Sequence, residues 1–185
     1  ENAMTLTLDW AMRRTGAAIG LLVLVTADGT GMIPLLHPGV PAEHIQSYSA
    51  ESPIPVNWGV IGRAVRLKQM QVVPDAHKDP DYVDIMDGTM NAQIAVPMIM
   101  RGVVLGVISL ESEQGDGFDN MDLSFLTRLA SRAAVALDNA RLYEATERRA
   151  DEMASLYHAG RTISSTLERE GILTSTAQAL ASQIG

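Results

Sequence analysis

The chain has 185 residues, no cysteine and a formal net charge of −8 at pH 7. That length suits one domain with a real core plus some extended structure, and an acidic chain with few clustered Lys and Arg disfavours nucleic acid as a partner. Without cysteine there is no disulfide, thiol catalysis or thiolate metal site, and a cytoplasmic location is the expectation; no apolar run approaches the roughly 20 residues of a membrane helix and no signal peptide opens the chain, so no membrane contact is expected.

In chain order, Ala3-Met4 reads either as a tag scar with an initiator or as native helix. Leu6, Leu8, Ala11 and Met12, with Trp10 beside them, have helical spacing up to Thr15-Gly16, where a glycine suits the position after a helix. Residues 19–26 are aliphatic, Asp28-Gly29 is a turn, and residues 32–36 complete a first hairpin before Pro38-Gly39. Residues 41–55 are polar and proline-punctuated, a mobile cover with a short helix over 42–48. Asn57 is expected to cap a helix beginning at Trp58-Gly59, whose apolar positions Val60, Ile61, Ala64, Val65 and Leu67 run to a stop near Lys68. Residues 71–73 predict a short strand, residues 74–82 a loop stiffened by its prolines, and residues 82–86 one helical turn.

Residues 93–111 give the clearest signal, two apolar β-branched runs joined by Arg101-Gly102, which predicts a tight hairpin. Ile94, Val96, Met98 and Met100 alternate with Ala95, Pro97 and Ile99, so both faces are apolar and both are expected to be covered. Pro97 belongs at an open side of the pairing or a bulge, and Gly106 allows close approach of another backbone or a ligand. Asp119 with Asp122 then provides an N-cap and first-turn charge for a long helix. Its apolar face holds Leu123, Leu126, Ala130, Ala133, Ala134 and Leu137. Beyond Arg141 the face narrows to Leu142, Thr146, Arg149, Met153, Leu156, Gly160, Ile163 and Leu167, alternately four and three apart. That spacing predicts a coiled-coil seam, which Thr146, Arg149 and Gly160 weaken.

The Trp-Gly-Val-Ile-Gly-Arg-Ala-Val helix, the Val-Val-Pro-Asp-Ala-His-Lys-Asp-Pro-Asp-Tyr loop, the 93–111 hairpin and the Phe-Asp-Asn-Met-Asp-Leu helix start, in that order and spacing, resemble the GAF domain family. The resemblance implies an α+β fold, profilin-like and related to PAS domains: an antiparallel six-stranded sheet, terminal helices on one face, a small-molecule pocket on the other, and a long C-terminal signalling helix. It divides the chain into a GAF domain at 1–143, a coiled-coil linker at 144–167 and, at 168–185, the truncated start of a second such domain. Such modules sit beside other signalling domains, most typically in sensor histidine kinases of two-component systems, with diguanylate cyclases and response regulators as alternatives, and they pair through their terminal helices. A homodimer with Leu142, Met153, Leu156 and Ile163 in its seam is therefore expected.

The ligand is harder to read. Family members that bind cyclic nucleotides carry Asn-Lys and, further on, Phe, three residues and Asp-Glu; Phe118 and Asp122 match, but Leu123 replaces the Glu and neither Lys68 nor Lys78 follows Asn, which disfavours cyclic nucleotides. Covalent bilin attachment uses cysteine and is excluded. His77 has no second ligand at helical spacing, and His37, His44 and His158 are isolated, so haem and metal are disfavoured. Trp58 and Tyr82 read as pocket walls or as plain packing, Asp75 as a ligand acceptor or a turn residue, and Gln93 as a polar anchor; with Val73 these five are the candidate ligand-binding residues. No phosphate-loop spacing is present. No nucleophile, base and orienting group occur together, so no enzyme is expected in these residues. Two functions remain: a module that senses an unknown small molecule, and a ligand-free dimerising spacer.

Overall fold

The computed structural model describes residues 2–115 and 117–184, with side chains at 3–115 and 117–156. The elements are α1 (Asn2–Thr15), β1 (Ile19–Val25), β2 (Gly31–Leu36), α2 (Ala42–Ile45), β3 (Ile54–Pro55), α3 (Gly59–Leu67), β4 (Gln71–Val73), β5 (Ala92–Met100), β6 (Val103–Ser112) and α4 (Asn120–Ile184). The six strands form one sheet in the order β3-β2-β1-β6-β5-β4, with every neighbour antiparallel. The expected α+β architecture is the observed one. Two compact units divide the chain, Glu1–Asn139 and Ala140–Gly185.

The β5–β6 hairpin turns on Arg101 and Gly102, both at positive φ (50° and 80°), the pair of left-handed residues that a two-residue turn needs to match strand twist. Pro97 pairs with Val107 on β6, while on the other edge β4 reaches only as far as Ala95. The pairing then jumps from Met98↔Gly106 to Ile99↔Val104, so Leu105 is the extra residue of a bulge. Gly106 is required beside it, because a Cβ there would overlap the carbonyl oxygen of Val23 and the Met98 methyl group.

Both sheet faces are buried, each over its own core. On one face Ile94, Val96, Met98, Ile108 and Leu110 meet Met4, Leu8 and Ala11 of α1 and Leu126, Ala130, Ala133, Ala134 and Leu137 of α4. Met4, Leu8 and Ala11 recur at helical spacing, whereas Leu6 and Trp10 point outward, 56% and 65% exposed. Arg14 in the last turn of α1 pairs with Asp122 at 2.9 Å, which ties the end of α1 to the start of α4. Asp119 caps α4 reciprocally: its Oδ1 accepts from the Asp122 amide at 2.7 Å and its own amide donates to Asp122 Oδ2 at 3.2 Å. On the other face Ile19, Leu21, Val23, Ala95 and Val107 meet Ile45, Val60, Ala64 and Val65 of α2 and α3, and Ala76 and Met90 of the 74–91 loop.

Three local expectations are corrected. The N-terminal flanking residue of α3 is Trp58, extended and with no side-chain cap, so Asn57 lies one residue too early to cap it. The helical turn at 82–86 does not form, because Asp84 accepts the Met86 amide at 3.0 Å and so offers the backbone a turn instead; a single 3-10 turn occurs earlier, at Ala76–Lys78. The 41–55 segment contributes a strand, β3, through Gly31↔Pro55 and Met32↔Ile54. The 74–82 loop is clamped to α3. Arg63 of α3 holds Asp79 through two bonds of 2.7 and 2.9 Å, Asp81 at 3.0 Å and Gln71 at 3.0 Å. The Arg63 hydrogen bonds, with its charge behind them, hold the Asp79 carboxyl below the usual range.

Candidate functional site

The face under α2 and α3 is apolar except at one end. Register places Gln93 of β5 opposite Glu111 of β6, and Ala95 opposite Ser109, so Gln93, Ser109 and Glu111 share that inward face. All three are buried, at 5%, 2% and 7% exposure. The Gln93 amide donates from Nε2 to Ser109 Oγ at 3.0 Å and to Glu111 Oε1 at 3.2 Å, and the Tyr82 hydroxyl donates to Glu111 Oε2 at 3.1 Å. Gln93 Oε1 is buried without a hydrogen-bond partner, a cost that native interiors rarely carry without a reason.

Burial pushes the Glu111 carboxyl from 4.5 up to about 7; the Tyr82 bond opposes this and the nearby Asp84 charge reinforces it. Burial first, and then the Glu111 charge, raises the Tyr82 phenol well above its ordinary value, so that it stays a donor.

Above this polar end lies a small cavity. Its floor is Leu21, Val23, Gln93 and Glu111; Met32 and Ile54 close one side; His44, Ile45, Tyr48, Trp58, Gly59, Val60, Ile61, Val83 and Ile85 form the cover. The Tyr48 and Trp58 rings lie 6.2 Å apart, tilted by 43°. The space open to the centre of a water-sized sphere is about 50 Å³. At about 10–15 Å³ per water by that measure, it holds a few waters or a small chemical group, and anything larger must displace the cover.

Of the five residues expected to bind ligand, the structure brings three together. Trp58 and Gln93 line the cavity, and Tyr82 reaches it through Glu111. Val73 is 2% exposed and packs in the core of the same face. Asp75 lies at the surface, paired with Lys78 at 2.6 Å, which lowers its pKa. Glu111, Ser109, His44 and Tyr48 were not anticipated. Glu111 and Ser109 had a signal in the sequence, since the alternation of β6 puts them on the inward face of a sheet covered on both sides. His44 and Tyr48 had none, because α2 and the residues that follow it reach the cavity only through the tertiary fold. Along α4, Leu142, Met153 and Leu156 are 51%, 71% and 69% exposed; the Ile163 side chain lies outside the described residues. Among the described residues, no group of His, Asp and Glu is arranged to hold a metal, and no helix is long and apolar enough to cross a membrane.

A family model described as the GAF domain matches residues 1–138. The chain is similar to the free methionine-R-sulfoxide reductase of Saccharomyces cerevisiae, with 41% identity over 73 residues, 39% of this chain and 40% of that protein. The chain thus spans about two fifths of the length of that relative. Among solved structures, it is similar to the GAF domain of the Acinetobacter phosphoenolpyruvate-protein phosphotransferase (15% identity, TM-score 0.64, covering 75% of this chain and 82% of the other), a likeness of fold alone. It is also similar to the GAF-B domain of DevS from Mycobacterium smegmatis (26% identity, TM-score 0.60, covering 78% and 97%). Reducing a sulfoxide takes two electrons, which a pair of thiols can supply, and this sequence has no cysteine to do so. With its sheet, its terminal helices and residues 1–138 matched by the family model, the chain belongs to the GAF domain family, as a GAF-type signalling domain.

Proposed function

We propose that this domain senses a small molecule held between the sheet and its cover, and that occupancy is passed through the cover and the sheet to α1 and α4. The observation that carries this reading is the buried Gln93–Glu111–Tyr82 cluster, which has one acceptor unpartnered and faces a cavity. A purely structural core gains nothing from a desolvated carboxyl and an unpaired amide oxygen. In this reading residues 1–143 are the sensory domain, 144–167 a coiled-coil linker and 168–185 the start of a second domain, within a multidomain cytoplasmic protein, a sensor histidine kinase above other outputs. The exposed Leu142, Met153 and Leu156 support pairing with a second copy along the seam that also includes Ile163.

The ligand-free dimerising spacer is the second reading, and the small size of the cavity favours it. Binding of a molecule found by thermal-shift screening of metabolites decides between them. Tyr82→Ala and Gln93→Ala are each expected to weaken it by about 1 kcal/mol or more through loss of a buried hydrogen bond. Unchanged affinity in both variants favours the spacer.

A further inference from the structure

Resting on the reading of this cavity as a ligand site, we propose that it recognises a protonated amine, either a small organic ammonium ion or the ammonium head of a longer molecule. Two buried side chains, Gln93 and Glu111, present oxygen acceptors to the cavity. The Gln93 NH2 group is committed to Ser109 and Glu111, and Oε1 is what remains. Against an ionised Glu111, reversing the amide would set its oxygen against Oε1 at 3.2 Å, acceptor against acceptor.

Glu111 accepts one hydrogen bond on each oxygen and, among the described residues, forms no ion pair. A carboxylate so placed lacks a counter-charge, and the lining contains no Lys or Arg to supply one. An anionic ligand therefore finds only repulsion at this end. A neutral alcohol satisfies one acceptor and brings no charge. An ammonium brings a charge and up to three donors, enough for Gln93 Oε1 and Glu111 together. A bare metal ion fits poorly, because hard cations take six or more oxygens. Tyr48 and Trp58 line the same cavity, and aromatic faces attract organic cations.

Burial, reinforced by the Asp84 charge, raises the Glu111 pKa, and among the described residues no ion pair offsets it. A bound ammonium restores the ionised form, so affinity rises as pH passes upward through about 7. The other titratable groups around Glu111 are Tyr82 and Asp84 of the loop and His44 of α2.

The test titrates the 185-residue chain with propylammonium, propan-1-ol and propionate at pH 8 and pH 5.5, by calorimetry and saturation-transfer NMR, alongside Glu111→Gln. Propylammonium is expected to bind at least about tenfold more tightly than the other two at pH 8, and to weaken about tenfold at pH 5.5. Glu111→Gln is expected to remove both the preference and the pH dependence; a pH dependence that survives it does not come from Glu111 and overturns the assignment. Should Glu111→Gln not fold, the ligand preference and pH profile of the native chain decide alone. Equal or better binding of propan-1-ol or propionate overturns the amine inference and leaves a ligand site in place. If none of the three binds and metabolite screening also yields nothing, both the inference and the sensing function fall.

Discussion

Replacing Glu111 with Gln tests the polar floor through stability, without any ligand. A carboxyl whose pKa is raised from 4.5 to about 7 in the folded state binds more protons there than in the unfolded chain between those pH values. Stability therefore falls as pH rises through that window, and the cost is complete above pH 7; this is the reverse of an ion-paired carboxylate, whose stabilisation is lost on acidification. A shift of that size corresponds to about 3 kcal/mol, at 1.36 kcal/mol per unit. Gln cannot ionise and keeps the shape, but it offers one acceptor oxygen where the carboxylate offers two, so either Tyr82 or Gln93 loses its acceptor. Glu111→Gln is thus expected to be close to native stability at pH 5 and more stable at pH 8, by about 1–3 kcal/mol after that loss. Urea unfolding of both proteins at the two pH values measures this as a double difference, in which the histidines and other titrating groups cancel. Parallel pH profiles, or a variant less stable than the native protein at pH 8, would refute a buried, unpaired Glu111.

Three further predictions rest on other parts of the fold. Arg63→Ala leaves Asp79 without its two-bond partner and releases the 74–91 loop, with an expected loss of about 2 kcal/mol. Because Arg63 lowers the Asp79 pKa, that contribution is full above the ordinary carboxylate range and fades as pH falls through the depressed value, so native and variant unfolding curves should converge in acid; a constant gap down to pH 2 contradicts this. Asp119→Ala removes the reciprocal cap of α4 and should cost about 1 kcal/mol in thermal or urea unfolding, against no change if the cap is idle. Leu156→Glu should shift a dimer toward monomer in light scattering; a monomer at high micromolar concentration that the substitution leaves unchanged removes the pairing seam.

The sheet was legible wherever local chemistry fixes geometry. Arg101-Gly102 admits a two-residue turn, strict alternation on both sides of it marks a sheet buried on both faces, and Asp119 with Asp122 marks the start of α4. The terminal helices on one face followed from family resemblance and not from spacing, which grouped Leu6 with Leu8, Ala11 and Met12 without separating the exposed residue from the buried ones. The two-residue strand β3 is too short to carry a pattern and exists only through its pairing with β2. The Arg63–Asp79 clamp joins residues 16 apart in sequence, and no periodicity links them. The site was legible by half. Trp58, Tyr82 and Gln93 were found as polar or aromatic residues in cover and strand, while Glu111 was passed over as the end of an apolar run. Its importance comes from burial beneath α2 and α3, which the alternation of β6 implies only once both faces are known to be covered.

Native mass spectrometry of the chain after incubation with a filtered metabolite extract at pH 8, compared with Tyr82→Ala and Gln93→Ala, tests most directly whether the space over Gln93 and Glu111 is a binding site. The native protein is expected to retain a small non-covalent adduct that both variants retain less. An adduct-free native protein, or equal adducts on all three, would contradict a sensory site at that position.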